Sequence, residues 1–200
     1  MKKAEIIKYL KGQYKANKVD NDWEFVLKDD DDGYLDFSPG TFGTGKARTL
    51  LGIPSMTLPW LLQLDQSIFS SESDKVVPFF VGRQIKLPVS DGVIREHHVD
   101  EMVNSCFKWF HQQNQQEIIA TEFSRCYEKI TGFPPSGWQP KHIMACVFKG
   151  DVDRLQGYLD NFKRGERMEF IPIIKQEYFE RAIPLAEKYR SDELVSPIKF

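Results

Sequence analysis

The chain has 200 residues, of which 41% are apolar and 13% aromatic, and it carries a formal net charge of −2. That is enough apolar material to bury a sizeable core in one domain or two small lobes. Runs such as "VVPFFVG" and "IMACVF" fall far short of the roughly 18 to 20 apolar residues a membrane-spanning helix needs, and the near-neutral charge gives no footprint of general nucleic-acid binding.

In "AEIIKYLKGQYK" the apolar residues Ile6 or Ile7, Leu10 and Tyr14 recur at spacings of three and four, which predicts a short amphipathic helix. Its interspersed charges do not make the uninterrupted apolar core of a signal peptide, so a cytoplasmic location is expected. After a polar break, "ANKVDND", the residues Trp23, Phe25 and Leu27 alternate with Glu24, Val26 and Lys28, "DDDDG" turns the chain, and "YLDF" alternates again. This is the pattern of a β-hairpin with Gly33 at the turn, one face of which needs a cover such as the preceding helix. The stretch from Ser38 to Pro59 is rich in Gly, Pro, Ser and Thr and reads as irregular loop. "LPWLLQLDQSIF" predicts a short helix facing inward through Trp60, Leu61, Leu64 and Ile68. "KVVPFFVG" and "RQIKLPV" predict two more strands, with Pro78 and Pro88 suited to sheet edges. Ser90 to Gly92 is a turn and the expected boundary between lobes.

Beyond that turn the periodicity is helical. Val99, Met102, Val103, Cys106, Phe107 and Phe110 form one stripe, and Ile119, Phe123, Cys126 or Tyr127 and Ile130 a second, with Gly132 placed as its stop. "FPPSGWQP" reads as a rigid loop. The segment "MACVFKGDVDRLQGYL" resembles one unit of an ankyrin repeat, which implies a local helix-turn-helix with Asp151 as N-cap; no second copy follows at the period of a solenoid. "KQEYFERAIPLAEKY" predicts a final helix kinked at Pro184. The expected fold is therefore α+β: an N-terminal antiparallel β-sheet with a helix (1–92), then a mainly helical C-terminal half (93–200), together one compact unit.

Candidate chemistry is sparse. Gly40, Gly45 and Lys46 in "SPGTFGTGKART" match a phosphate-binding loop up to its last position, where Ala47 replaces the Mg²⁺-binding hydroxyl. Gly52 and Pro54 then cut short the helix that such a loop requires. His97 and Glu101 are four apart, but the H-E-x-x-H zinc signature is absent and Asp100 and Glu101 suit a solvated first helical turn. The three cysteines, Cys106, Cys126 and Cys146, are an odd number without metal-clip spacing and lie among apolar neighbours, so they are expected to be free and buried. No catalytic, cofactor-binding or metal-binding residue is assigned.

Charge distribution carries more. From Val19 to Phe37 there are eight acids against one base, Lys28, a local balance of −7. Asp20, Asp22, Trp23, Asp29, Asp30, Asp31, Asp32 and Asp36 are the expected partner-binding residues, since a concentrated acidic surface with aromatics steers and anchors a basic protein. Calcium would want acids at alternating positions with a terminal glutamate, which "DDDDGYLDF" does not supply. In size, α+β texture, acid concentration and lack of a catalytic set, the chain resembles bacterial toxin-immunity proteins, including those of contact-dependent growth inhibition. The resemblance implies a non-catalytic protein, with a monomer expected, that occludes the active site of a cognate toxin, which would be basic if it is a nuclease. It implies no direct contact with nucleic acid or membrane. A secretion chaperone or adaptor, and an enzyme with a scattered site, are the alternatives.

Overall fold

The structure, a computed structural model, describes residues 1–19, 22–69 and 79–199. It has the expected class: an antiparallel sheet with a helix first, then mainly helices. Contacts gather the chain into two units, Met1–Pro59 with Val77–Gln113, and Trp60–Val76 with Asn114–Phe200.

In the first unit, helix α1 (Lys3–Lys11) precedes strands β1 (Lys15–Val19), β2 (Asp22–Asp30), β3 (Gly33–Phe42) and β4 (Arg48–Thr57). After helix α2 (Pro59–Phe69) of the second unit come β5 (Phe80–Val81), β6 (Ile85–Val89) and helix α3 (Glu96–Gln113). The sheet runs β1-β2-β3-β4-β5, with β6 also paired to β4. β6 takes Arg48 to Gly52, and β5 takes Ser55 and Met56. One sheet face presents Phe25, Phe37 and Leu50 to Ile6 and Leu10 of α1 and to Val99, Met102, Val103 and Cys106 of α3, forming a buried core. Strand alternation places Tyr34, Asp36, Ser55 and Ile53 on the opposite face.

Two segments differ from their sequence expectation here. The "polar break" contains an edge strand, β1, whose residues are exposed or half-buried; a strand with no fully buried residue leaves no apolar alternation to detect, and its lysines suit an unpaired edge. The Ser38–Pro59 stretch is not loop but the long arms of a second hairpin, paired from Tyr34↔Thr57 to Phe42↔Thr49. Its prolines are tolerated by position. Pro54 lies between the β6-paired and β5-paired parts of β4 and accepts a hydrogen bond from Gly82 N–H (2.7 Å), so the missing N–H faces the break between two neighbours rather than a continuous ladder. Pro88 lies in β6, which pairs with β4. Pro78 and the first half of "KVVPFFVG" lie outside the described residues.

The second unit contains α2, α4 (Gln116–Glu128), α5 (Pro135–Phe148), α6 (Val152–Lys163) and α7 (Gln176–Arg190). Trp60, Phe123, Phe148 and Tyr189 stack at 5.3–6.1 Å between ring centroids. Tyr158, Phe162, Phe170 and Phe179 form another cluster at 4.9–5.8 Å. The cap at Asp151 is as expected: its carboxylate accepts from Arg154 N–H at 3.1 Å. "FPPSGWQP" is corrected, because Pro135 opens α5 at its first position, where a missing N–H costs nothing. Gly132 does not stop α4, which is capped at Lys129. Its hydrogen faces the Trp138 ring so closely that a Cβ there would lie 2.0 Å from a ring carbon.

Candidate functional site: an acidic hairpin face

The two strands of the β2–β3 hairpin pair from Phe25↔Phe37 to Asp30↔Gly33, with an irregularity between Val26 and Lys28. Asp31 and Asp32 form its exposed tip, and Gly33, at φ +145°, starts the return strand. Of the expected partner-binding residues, Asp29, Asp30, Asp31 and Asp32 come together at this exposed end. Lys28 Nζ lies 2.5 Å from Asp30 and 3.3 Å from Asp32, and that hydrogen bond first, helped by the Asp32 backbone N–H, holds the Asp30 carboxyl below its ordinary range. Among the described residues no cation forms a salt bridge with Asp29 or Asp31. Asp22 is exposed at the other end of β2, 2.5 Å from Lys3 Nζ. Trp23 is half-buried against the core, with Lys11 Nζ 3.2 Å from its ring centroid, and Asp20 lies outside the described residues.

Asp36 differs from the others. It is 7% exposed, and its carboxylate accepts a short hydrogen bond from the Ser55 hydroxyl on the paired position of β4. Burial pushes its pKa up to about 6; the Ser55 hydrogen bond opposes that rise and Glu24 adds to it. Tyr34 sits two residues away on the same face, directly opposite Asp29. Its phenol is pushed up to about 12, first by burial and then by the charges of Asp36, Asp29 and Glu24. The strand register thus puts two of these carboxylates, Asp29 and Asp36, beside Tyr34 on one face. Sequence reasoning counted Glu24 only as charge and missed Ser55 as the partner of Asp36; the signal for Tyr34 was its i, i+2 relation to Asp36. The same sheet face carries exposed apolar side chains, Ile53 and Val81, and Phe42 at the far end of β3.

The phosphate-loop look-alike is the end of β3 and a tight β3–β4 connection rather than irregular loop throughout. Gly43 and Gly45 take positive φ, and a Cβ on Gly43 would meet the Ala47 carbonyl at 2.0 Å. Gly40 and Arg48 are strand residues, so no helix N-terminus follows Lys46 to receive a phosphate. At the start of α3, expected as a solvated first turn, His98 Nδ1 accepts from Arg95 N–H (3.1 Å), Asp100 accepts from Tyr9 (2.8 Å), and Arg95 pairs with Asp91 (2.7 Å). These are capping and packing contacts, and among the described residues no group of three or more His, Cys, Asp or Glu side chains could hold a metal ion.

All three cysteines are buried and free. Cys146 Sγ approaches His142 Nε2 at 3.8 Å, an arrangement that invites comparison with a nucleophile and its base. Its chemistry runs the other way. Burial pushes the Cys146 thiol up to about 12 and lowers the His142 pKa. Because His142 Nδ1 faces the Cys126 carbonyl at 2.7 Å, that nitrogen carries the proton; Nε2 is then bare and accepts from the Tyr158 hydroxyl at 3.0 Å. The group is a closed neutral network, with its thiol protonated and shielded from substrate.

Among the described residues no helix is long and apolar enough to cross a membrane. No curated protein and no solved structure matches the chain significantly. A family match spans residues 2–187, almost the whole chain and both of its units, so the protein belongs to the family described as "Family of unknown function (DUF6990)".

Proposed function

We propose that this protein is a non-catalytic binding protein of the immunity type, which docks the acidic face of its β2–β3 hairpin onto a basic toxin and covers that toxin's active site. The observation that carries the reading is the placement of Asp29 and Asp36 beside Tyr34 on one sheet face, continuous with the exposed tip Asp29–Asp32. Neighbouring like charges repel one another, and burial disfavours the charge of Asp36. A cationic partner relieves both costs, and Ile53 and Val81 on the same sheet face supply apolar anchoring beside the charge.

The experiment is co-expression with the products of the genes adjacent to its own, each assayed for toxicity. The reading expects a stoichiometric complex that survives gel filtration at low salt, and rescue of growth. A neighbouring toxin that neither binds nor is neutralised overturns it.

A further inference from the structure

The helical unit contains an open cavity of about 430 Å³ bounded by the end of α4, by α5 and α6, and by the segment after α6. That volume lies within the ordinary range for small-molecule sites. Its walls are held together by side-chain contacts between these elements. The Trp138 indole N–H donates to the Lys129 carbonyl at 2.9 Å. Fully buried Gln139 clamps the segment after α6 at two points, donating to the Glu169 carbonyl (2.7 Å) and accepting from Ile171 N–H (2.9 Å). Arg154 is fixed on the third side. Its guanidinium lies 4.2 Å from the Tyr127 ring centroid, Nη1 donates to the Tyr127 carbonyl (2.8 Å), and Nε lies 3.2 Å from Asp151 Oδ2, which also accepts from the Tyr127 hydroxyl (2.7 Å).

The lining carries two bases, Lys129 and the Asp151-paired Arg154, and two acids, Glu128 and Glu169, together with Tyr158, His142, Thr131 and Ile130. The Tyr158 proton is committed to His142 Nε2, so the phenol oxygen meets a ligand only as an acceptor. A simple anion would face two carboxylates, and a simple cation would face a fixed guanidinium. A ligand carrying both charges satisfies both sides, and the fixed Arg154 reduces the entropy lost on binding it.

We propose that this cavity binds a small zwitterion, a free α-amino acid, with its carboxylate on Arg154 and its ammonium group among Glu128, Glu169 and the Tyr158 oxygen. The site is separate from the acidic hairpin and stands independently of the toxin-binding reading.

The test is isothermal titration calorimetry of the full chain with glycine and a panel of larger L-amino acids, with acetate and methylammonium as single-charge probes. At least one amino acid is expected to bind with one-to-one stoichiometry, and both single-charge probes at least about tenfold more weakly, the scale of one lost charge-assisted hydrogen bond. Glu169→Gln, at an exposed side chain whose structural contact is made by its backbone, is expected to weaken amino-acid binding by about tenfold or more with an unchanged circular dichroism spectrum. No heat from any amino acid up to millimolar concentration, acetate binding as tightly as the best amino acid, or full affinity in Glu169→Gln would each overturn the proposal.

Discussion

Replacing Asp36 by Asn keeps the shape and the acceptor for the Ser55 hydroxyl while removing the buried charge. Burial raises this carboxyl from its ordinary 3.8 to about 6, so the folded chain binds a proton more readily than the unfolded chain does. The sign follows from linkage: between those two values the native state holds more protons, and stability falls as pH rises through the interval. Ionised Asp36 therefore costs about 3 kcal/mol at neutral pH relative to its protonated form. Asp36→Asn should recover that amount at pH 7 and almost none of it below about pH 4, where the native acid is already neutral. At about 2–4 °C per kcal/mol for a chain of this size, the melting temperature at pH 7 rises by about 6–12 °C.

His142 acts in the opposite direction. Burial lowers its pKa, so its contribution is present above the unfolded histidine value and is lost as pH falls. The absolute stability profile mixes the two groups. The assay is therefore the difference in denaturant-unfolding free energy between Asp36→Asn and the parent, measured from pH 4 to pH 8, in which the His142 term cancels. A difference that does not vary with pH, or an Asn variant less stable than the parent at pH 7, refutes the burial argument. If the charge is kept for a partner, the stabilised variant also binds that partner more weakly.

Three further outcomes follow from the packing. Cys106, Cys126 and Cys146 are buried with thiols pushed up to about 12, so a maleimide or disulfide reagent at pH 7.5 should label none of them until denaturant is added; fast labelling of the native chain contradicts the burial. Gly132→Ala drives a methyl group into the Trp138 ring, with an expected loss of about 1–3 kcal/mol for overpacking and a change in tryptophan emission; unaltered melting would show that the contact gives way freely. Asp151→Ala removes the α6 cap and the partner of Tyr127 and Arg154, and should cost about 1–2 kcal/mol or more in chemical denaturation, whereas Asp151→Asn retains the cap and loses less.

The elements with a strong apolar period were legible. The stripes through α1, α3 and α4 place Ile6, Leu10, Val99, Met102, Cys106 and Phe123 in the interior, as their spacing predicts. The β2–β3 hairpin and its acidic tip were legible for the same reason. What escaped was structure whose signal is carried by a partner rather than by the segment itself. β1 buries no residue completely, so only its hydrogen bonds to β2 define it. The Pro- and Gly-rich arms of β3 and β4 contradict local propensity; at Gly52 the Met102 side chain of α3 takes up the space beside the backbone, and tertiary packing overrides the turn statistics. In the site, Asp36 was read as one more surface acid. Its separate status depends on Ser55, nineteen positions away and brought opposite it by the strand register. The cavity of the helical unit was illegible for a related cause: Gln139, in a stretch expected to be loop, serves as a buried clamp only because Pro135 starts a helix there.

The central claim is that the β2–β3 acidic face is the docking surface for a basic toxin. The most direct measurement is the association rate with the neighbouring toxin domain across a salt series, for the parent and for Asp29→Lys/Asp31→Lys, two exposed positions whose reversal leaves the core untouched. Electrostatically steered association predicts that the double reversal slows association by about tenfold or more at low ionic strength, and that the difference shrinks as salt screens the surface. Equal rate constants and equal salt dependence for the two proteins would contradict the account.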